Sequence, residues 1–453
     1  MSTIAIRDVA ATGTTLESSI AVPAPLRRFF TGESFRATYG VDISDVDESV
    51  LAIPVVGHVA PVAWTQGVDL AVPALDSEYR DCLRAVQERL RSMYPGFMDG
   101  GTVFVRDSVD NDEPTGTGTG LLFSGGVDSV TSFARHDDEI TTLIGVQGWT
   151  IDDEADEEWE RVAARIGSFA DRHGVDSAFV RSNALSMLDT TMLGAHYKRY
   201  LVGSWYSGVG HGLGLLSLCA PLSVAGGIDS LHIASTHTAA FEYPWGSHPT
   251  IDEHVRWGGA RANHDGYELD RQEKLYRIAR FVESEDPQLK LHTCNRGEAD
   301  NCNDCEKCYR TAIGLFLADL DPRDHGYDIG PEDLDHAREA VESGEWLVDE
   351  HFRFMWETLQ SHAPEGFDHE SEPVRKFLRW LAEVDIDACY QRGANAREDR
   401  WGRVLRTVAR NTPYPVYASL YPVYDRVVNS ARGGPVSDSL GRTLLEFGSD
   451  RRR

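Results

Sequence analysis

The sequence predicts an α/β protein: a parallel-sheet domain over residues 114–316, a β-rich module before it (1–113) and a helical region after it (317–453). Three observations carry this. Short apolar runs alternate with helical periodicity through the middle of the chain, the pattern of βα crossovers. The first 113 residues show strand-like alternation broken by Pro, Gly and Asp clusters. Beyond about Leu317 the apolar residues recur at helical spacing instead.

In the N-terminal module IAIRDV, SFRATYGV, SVLAIPVV and VDLAVPAL read as strands. Ser77–Met93 reads as a helix with Leu83, Val86, Leu90 and Met93 on one face. No nucleophile or metal-ligand spacing occurs here, so a lid or packing role is expected, with Trp64 and Tyr79 as candidates for a substrate contact. Asp107–Thr119, DSVDNDEPTGTGT, is a polar connector.

The stretch that organises the chain follows. Leu121, Leu122 and Phe123 form a buried strand that runs straight into Ser124, Gly125, Gly126, Val127, Asp128 and Ser129, and Val130–Arg135 continues as a helix. Two glycines let backbone N–H groups curl around an oxyanion, and a helix N-terminus adds unpaired N–H groups and a favourable dipole. Ser124 and Ser129 add hydroxyls. Asp128 opposes a bare anion, so its presence points to a metal ion bound with the anion, most often Mg²⁺. The loop carries no GxxxxGK[ST] pattern. Ala225–Ser230, AGGIDS, supplies an internal control: its strand comes after the glycines and its helix before them, so it reads as a plain turn.

Further strands are read at Thr142–Gln147, Ser177–Val180 and Leu231–Ser235, with helices at Asp156–His173 and about Tyr200–Cys219. Ligands gather at the carboxyl ends of such strands. The loop leaving the last of them, Thr236–Gly259, packs His237, Glu242, Tyr243, Trp245, His248, Asp252 and His254 into eighteen residues. His237, Glu242, His248 and Asp252 are its candidate substrate contacts. A helix from near Glu268 sets Arg271, Lys274 and Arg277 on neighbouring turns, either as a solvated face or as cations for phosphates.

Cys294, Cys302, Cys305 and Cys308 then stand in a C-x7-C-x2-C-x2-C array. Overlapping CxxC pairs put three thiolates around a tight turn and Cys294 supplies a fourth, the pattern of a closed structural zinc site. An iron–sulfur cluster is the alternative, and nothing else in the chain suggests electron transfer. The Gly297–Asn301 insert is polar and turn-rich.

SGGVDS after an apolar strand resembles the PP-loop of the N-type ATP pyrophosphatases, a HUP-like fold. With the cysteine array, and CNDCEKCYRTAIGL running into a helix, residues 118–316 resemble 7-cyano-7-deazaguanine synthase and its relatives. The resemblance implies that Ser124, Gly125, Gly126, Val127, Asp128 and Ser129 bind ATP phosphates and the four cysteines hold zinc. It also implies that a carboxylate is adenylated before an amine attacks; Asp128 from the loop, with Lys274 and Arg271 from their helix spacing, are the catalytic candidates. The first cysteine gap is one residue short, the chain is about twice the family's length, and the segment between the fourth strand and the cysteines is rebuilt. A different substrate is therefore expected.

Toward the C-terminus DLDHAREAVESGE, VDEHFRFMWETLQSH, VRKFLRWLAEV and WGRVLRTVARN read as helices. The stripes Phe352, Met355, Trp356, Leu359 and Phe377, Trp380, Leu381 suit core packing or a partner interface such as a homodimer. PYPVYASLYPVYDRV fits no pattern, and Arg451–Arg453 reads as a frayed end. The chain of 453 residues carries 44 Lys+Arg against 72 Asp+Glu, a net charge of −28, and its basic residues are nearly all Arg. An acidic, lysine-poor surface of this kind resembles that of salt-loving archaea, where salt screens long-range charge. No basic stripe marks a nucleic-acid partner, and the N-terminus lacks a signal-peptide pattern. A cytoplasmic, AMP-forming ligase joining a small carboxylate to an amine or ammonia, using ATP, Mg²⁺ and Zn²⁺, is the leading expectation. A tRNA- or nucleobase-modifying or sulfur-transfer enzyme on the same loop, and a non-enzymatic nucleotide-binding regulator, are its rivals.

Overall fold

The computed structural model describes residues 2–397, apart from 99, 112–115, 199, 202, 295–299 and 364–368, together with 412, 416 and 420. At its centre is an 11-stranded, mostly parallel sheet. Five strands come from the first 113 residues: β1 Thr3–Thr12, β2 Thr15–Ala21, β3 Ser34–Tyr39, β4 Asp69–Asp76 and β5 Val103–Val109. Six follow: β6 Gly118–Leu122, β7 Thr142–Gln147, β8 Asp176–Ser182, β9 Ile228–Ala234, β10 Arg256–Trp257 and β11 Ala260–Asp265. The spatial order is β10-β11-β9-β6-β7-β8-β3-β2-β1-β4-β5. From β11 through β8 every neighbour is parallel, and β3 joins the two sets of strands by antiparallel pairing with β8.

The parallel strands are covered on both faces, which is why they read as apolar runs. Leu121 and Leu143 face a core shared with the Val127–Arg135, Asp156–His173, Arg271–Ser284 and Glu306–Leu317 helices. Ile144, Val180, Leu231 and Ile233 face a second core, built with helices Ile53–Gln66 and His211–Leu218. After β6 the chain proceeds to β7 and β8, then returns to place β9 on the other side of β6. The carboxyl ends of β6 and β9 therefore flank the crevice where strand order reverses, the usual ligand position in such sheets.

The structure corrects the reading of SVLAIPVV as a strand: it forms the helices Glu48–Leu51 and Ile53–Gln66. The longer helix is buried from Ile53 to Thr65, so it has no polar face to reveal a helical period, and its β-branched residues mimic a strand. The helix expected over Tyr200–Cys219 is interrupted at Gly210, giving Trp205–Val209 and His211–Leu218. Strand β5 occupies the start of the supposed connector, β10 lies in a segment read as loop, and β11 falls in the stretch after it, to which the sequence reading assigns no element. The helices Ser77–Met93 and Asp156–His173 form as expected. Trp64 and Tyr79 are core residues, with Tyr79 Oη bonded to Ser217 Oγ at 2.6 Å.

Among the later segments, Leu334–Glu342, Glu350–Ser361 and Glu372–Glu383 are helical, and a further helix spans Ile386–Arg397. Met355, Trp356, Leu359, Phe377 and Leu381 are buried, so the stripes serve core packing. WGRVLRTVARN, most of PYPVYASLYPVYDRV, Arg451–Arg453 and most of the Gly297–Asn301 insert lie outside the described residues.

Candidate functional site

The glycine loop has the form its residue types require. Gly125 sits at φ +76°, a conformation that favours glycine. Gly126 caps the Val127–Arg135 helix in extended geometry, and a Cβ there would lie 3.0 Å from the His292 carbonyl. The Ser129 hydroxyl donates to the Gly126 carbonyl (3.3 Å), and Gly126 N–H donates to Ser124 Oγ (3.3 Å). From outside, His292 N–H donates to the Gly125 carbonyl (2.8 Å), tying the loop to the segment that leads into Cys294. The AGGIDS copy is a turn: Gly227, at φ +66°, ends the Ala220–Gly226 helix and β9 begins at the next residue.

Asp128 is in the first turn of the loop's helix. Its Oδ1 accepts from Lys274 Nζ at 2.8 Å and lies 3.1 Å from Arg271 Nη1. A capping box between Asp270 and Glu273 starts the Arg271–Ser284 helix, so Arg271 is its first residue and Lys274 stands one turn on. Burial disfavours ionised Asp128, yet Arg271 and Lys274 override it and hold the carboxyl well below the usual range. Burial lowers the Lys274 ammonium despite Asp128, and pushes Lys307 down to about 8, with Arg271 acting in the same direction. Arg277 is exposed and stands apart. Backbone N–H groups, two hydroxyls and a clustered cation set can together hold a multiply charged anion.

The other predicted residues divide. His237 lies beside the crevice, its ring 4.7 Å from Tyr243, 5.0 Å from Trp245 and 5.1 Å from His351. Burial, with His351 alongside, pushes His237 down to about 3, and burial takes His351 to about 4. His248 and Asp252 meet on the β11 side. His248 bonds Thr250 Oγ1 (2.7 Å) and Tyr267 Oη (3.1 Å), and fully buried Asp252 accepts from Ser247 Oγ (2.6 Å). Glu242 and His254 are exposed. The sequence did not single out His264, His351 or His211. Their partners come from distant elements, so no local spacing announces them.

The four cysteine Sγ atoms of Cys294, Cys302, Cys305 and Cys308 lie within 4.8 Å of one another. Cys302–Cys308 is 3.9 Å and Cys305–Cys308 is 3.5 Å. Tetrahedral zinc–thiolate bonds of about 2.3 Å set sulfurs about 3.8 Å apart, so the donor set and its spacing suit a metal ion such as zinc. Asn303 at φ +55° makes the turn, and Cys305 precedes the Glu306–Leu317 helix. Buried Asn301 fastens the array with its whole side chain. Its Oδ1 accepts from the N–H groups of Thr293 (2.9 Å) and Cys294 (3.2 Å), and its Nδ2 donates to the Leu291 and Gly326 carbonyls (both 2.8 Å).

No protein-family model, no curated protein and no solved structure matches this chain. No helix among the described residues is long and apolar enough to cross a membrane.

Proposed function

We propose that the chain is a cytoplasmic PP-loop ATP pyrophosphatase acting as an AMP-forming ligase, with a fold of the HUP-like kind. The observation that carries this reading is the meeting of Asp128, Arg271 and Lys274 at a glycine loop beside the sheet's switch point. A substrate carboxylate attacks the α-phosphate of ATP, and pyrophosphate leaves into the Ser124–Ser129 cradle. An amine or ammonia then displaces AMP from the acyl-adenylate. Arg271 and Lys274 face the leaving pyrophosphate and neutralise its charge, and the loop's N–H groups hold the reactants in line.

Asp128 fits the role of Mg²⁺ partner, because it stays ionised and keeps 20% of its side chain exposed. Mg²⁺ supplies charge neutralisation of the triphosphate when bound. Zinc, held by Cys294, Cys302, Cys305 and Cys308, serves structure, since four thiolates leave no open position. Sulfur transfer on the same loop is disfavoured: Cys82, Cys219 and Cys389 are buried, and burial pushes the first two thiols up to about 12.

The test is pyrophosphate release from ATP over a panel of carboxylates, with and without ammonia, at the molar salt an acidic chain of this type requires. Release that depends on one acid supports the ligase. ATP binding without release under any condition would make the chain a nucleotide-binding regulator instead.

A further inference from the structure

Fully buried Asp252 does more than cap a turn. Its Oδ2 accepts from His264 Nδ1 at 2.7 Å, and the His264 side chain is 1% exposed. Ser247 Oγ donates to the same oxygen at 2.6 Å. A neutral imidazole that donates from Nδ1 to a carboxylate leaves Nε2 with its lone pair free. That Nε2 is buried and finds no partner among the described residues. Neither do His211 Nδ1, Trp245 Nε1 or His237 Nε2, all buried atoms of the same region. Buried polar atoms left open together mark a place for a polar ligand.

The dyad is linked to the glycine loop through the neighbouring strand. His264 pairs in register with Ile233 of β9, and two residues further along the chain the Ser235 carbonyl accepts from Lys274 Nζ, the same nitrogen that bonds Asp128. The rings of His211 and Trp245 are 5.5 Å apart, and those of Trp245 and His237 5.0 Å. His237 in turn feels the charges of Asp128, Arg271 and Lys274.

We propose that His264, oriented by Asp252, is the general base for the amine half of the reaction; this rests on the ligase reading above. The nitrogen lone pair attacks the acyl carbon of the acyl-adenylate, a C–N bond forms and the C–O bond to AMP breaks. AMP leaves with the bonding pair, and the proton shed by the nitrogen passes to His264 Nε2 and then to solvent. Asp252 acts as a positioning residue that fixes the tautomer.

His264→Asn keeps a donor toward Asp252 and removes the base, while Asp252→Asn favours the wrong tautomer. With an acid that supports pyrophosphate release, both variants should lose ~10²–10⁴-fold in amide formation from ammonia or methylamine. ATP–pyrophosphate exchange, which reads adenylation alone, should fall far less than amide formation in both variants. Hydroxylamine, a weaker base whose adduct is acidic enough to lose its proton to water, should restore product formation in both variants. Histidine ¹⁵N NMR of the intact chain should show His264 protonated at Nδ1 and bare at Nε2. Full amide formation by His264→Asn, equal losses with hydroxylamine, or a His264 protonated at Nε2 would each overturn the assignment while leaving adenylation standing. Wild-type protein that releases pyrophosphate with no acid sinks the ligase reading and this step with it.

Discussion

Asp128 gives the sharpest test, because it is at once a charge at the candidate site and a support for a buried cation. Lys274 has 3% of its side chain exposed, and its ammonium is held by Asp128 and the Ser235 carbonyl. Replacing Asp128 by Asn keeps the shape and removes the charge between Lys274 and Arg271. Breaking a buried ion pair by deleting one partner costs ~3–5 kcal/mol. Asp128 is 20% exposed, so water offsets part of the loss and the low end, ~3 kcal/mol, applies. For a chain of this size that is a fall in Tm of ~3 °C, taking about 1 °C per kcal/mol.

Function should respond separately. Losing one charge-stabilising contact at the transition state costs ~3 kcal/mol, about a hundredfold in rate. Because the two cations then face an unoccupied position, added pyrophosphate should raise the Tm of Asp128→Asn more than that of wild type. Calorimetric melting with and without pyrophosphate, beside pyrophosphate release from ATP, reads all three effects. An Asp128→Asn protein with unchanged Tm and unchanged turnover would refute the reasoning at both levels and leave an anion-binding turn without chemistry.

Cys305→Ser should lower Tm, since metal binding energy is part of the folding energy, and elemental analysis of wild type should find about one zinc per chain. A metal-free yet fully folded preparation would contradict this. Stability should fall on mild acidification: burial holds His58 at about 4 in the folded chain against an ordinary 6.5, so the unfolded chain binds more protons between those values. The contribution is complete above pH 6.5 and is lost as pH drops to about 4; for His58, 1% exposed, it amounts to ~3 kcal/mol. His211, His237, His292 and His351 act in the same direction, and denaturant titrations at pH 7 and 4.5 should show the difference. Ala225→Ser, which turns AGGIDS into SGGIDS, should add no nucleotide site in ATP calorimetry. Gly227 there ends a helix, and a helix C-terminus repels anions.

What could be read from the sequence was what is local. A two-glycine turn between strand and helix, four cysteines within fifteen residues, and amphipathic helices each announce themselves in one window. Arg271 and Lys274 were legible as neighbours on a helix, but not their convergence on Asp128, some 140 positions earlier in the chain. The same spacing argument included Arg277, which faces solvent, because periodicity gives a face and not a partner. The Ile53–Gln66 helix escaped because burial on every side erases the amphipathic signal. His264 escaped because its meaning rests on Asp252, which reaches it from a short helix before β10.

This division between local and distant contacts matters for how the chain works. The glycine loop needs only its own strand, its helix and the His292 segment to hold its shape. The far wall depends on the N-terminal residues. Gly57 packs so closely that a Cβ would fall 2.3 Å from Ser217 Oγ, and Arg89 Nε donates at 2.6 Å to Oγ1 of Thr250, in the helix that carries Asp252. Glu78 accepts from Gly259 N–H at 2.8 Å, just before β11. The first 113 residues thus brace the segment that presents His248, Asp252 and His264. The proposed anion site is contained in one contiguous motif, Ser124 to Ser129. The residues proposed to serve the second reactant come instead from separate elements, the short helix that carries Asp252 and strand β11.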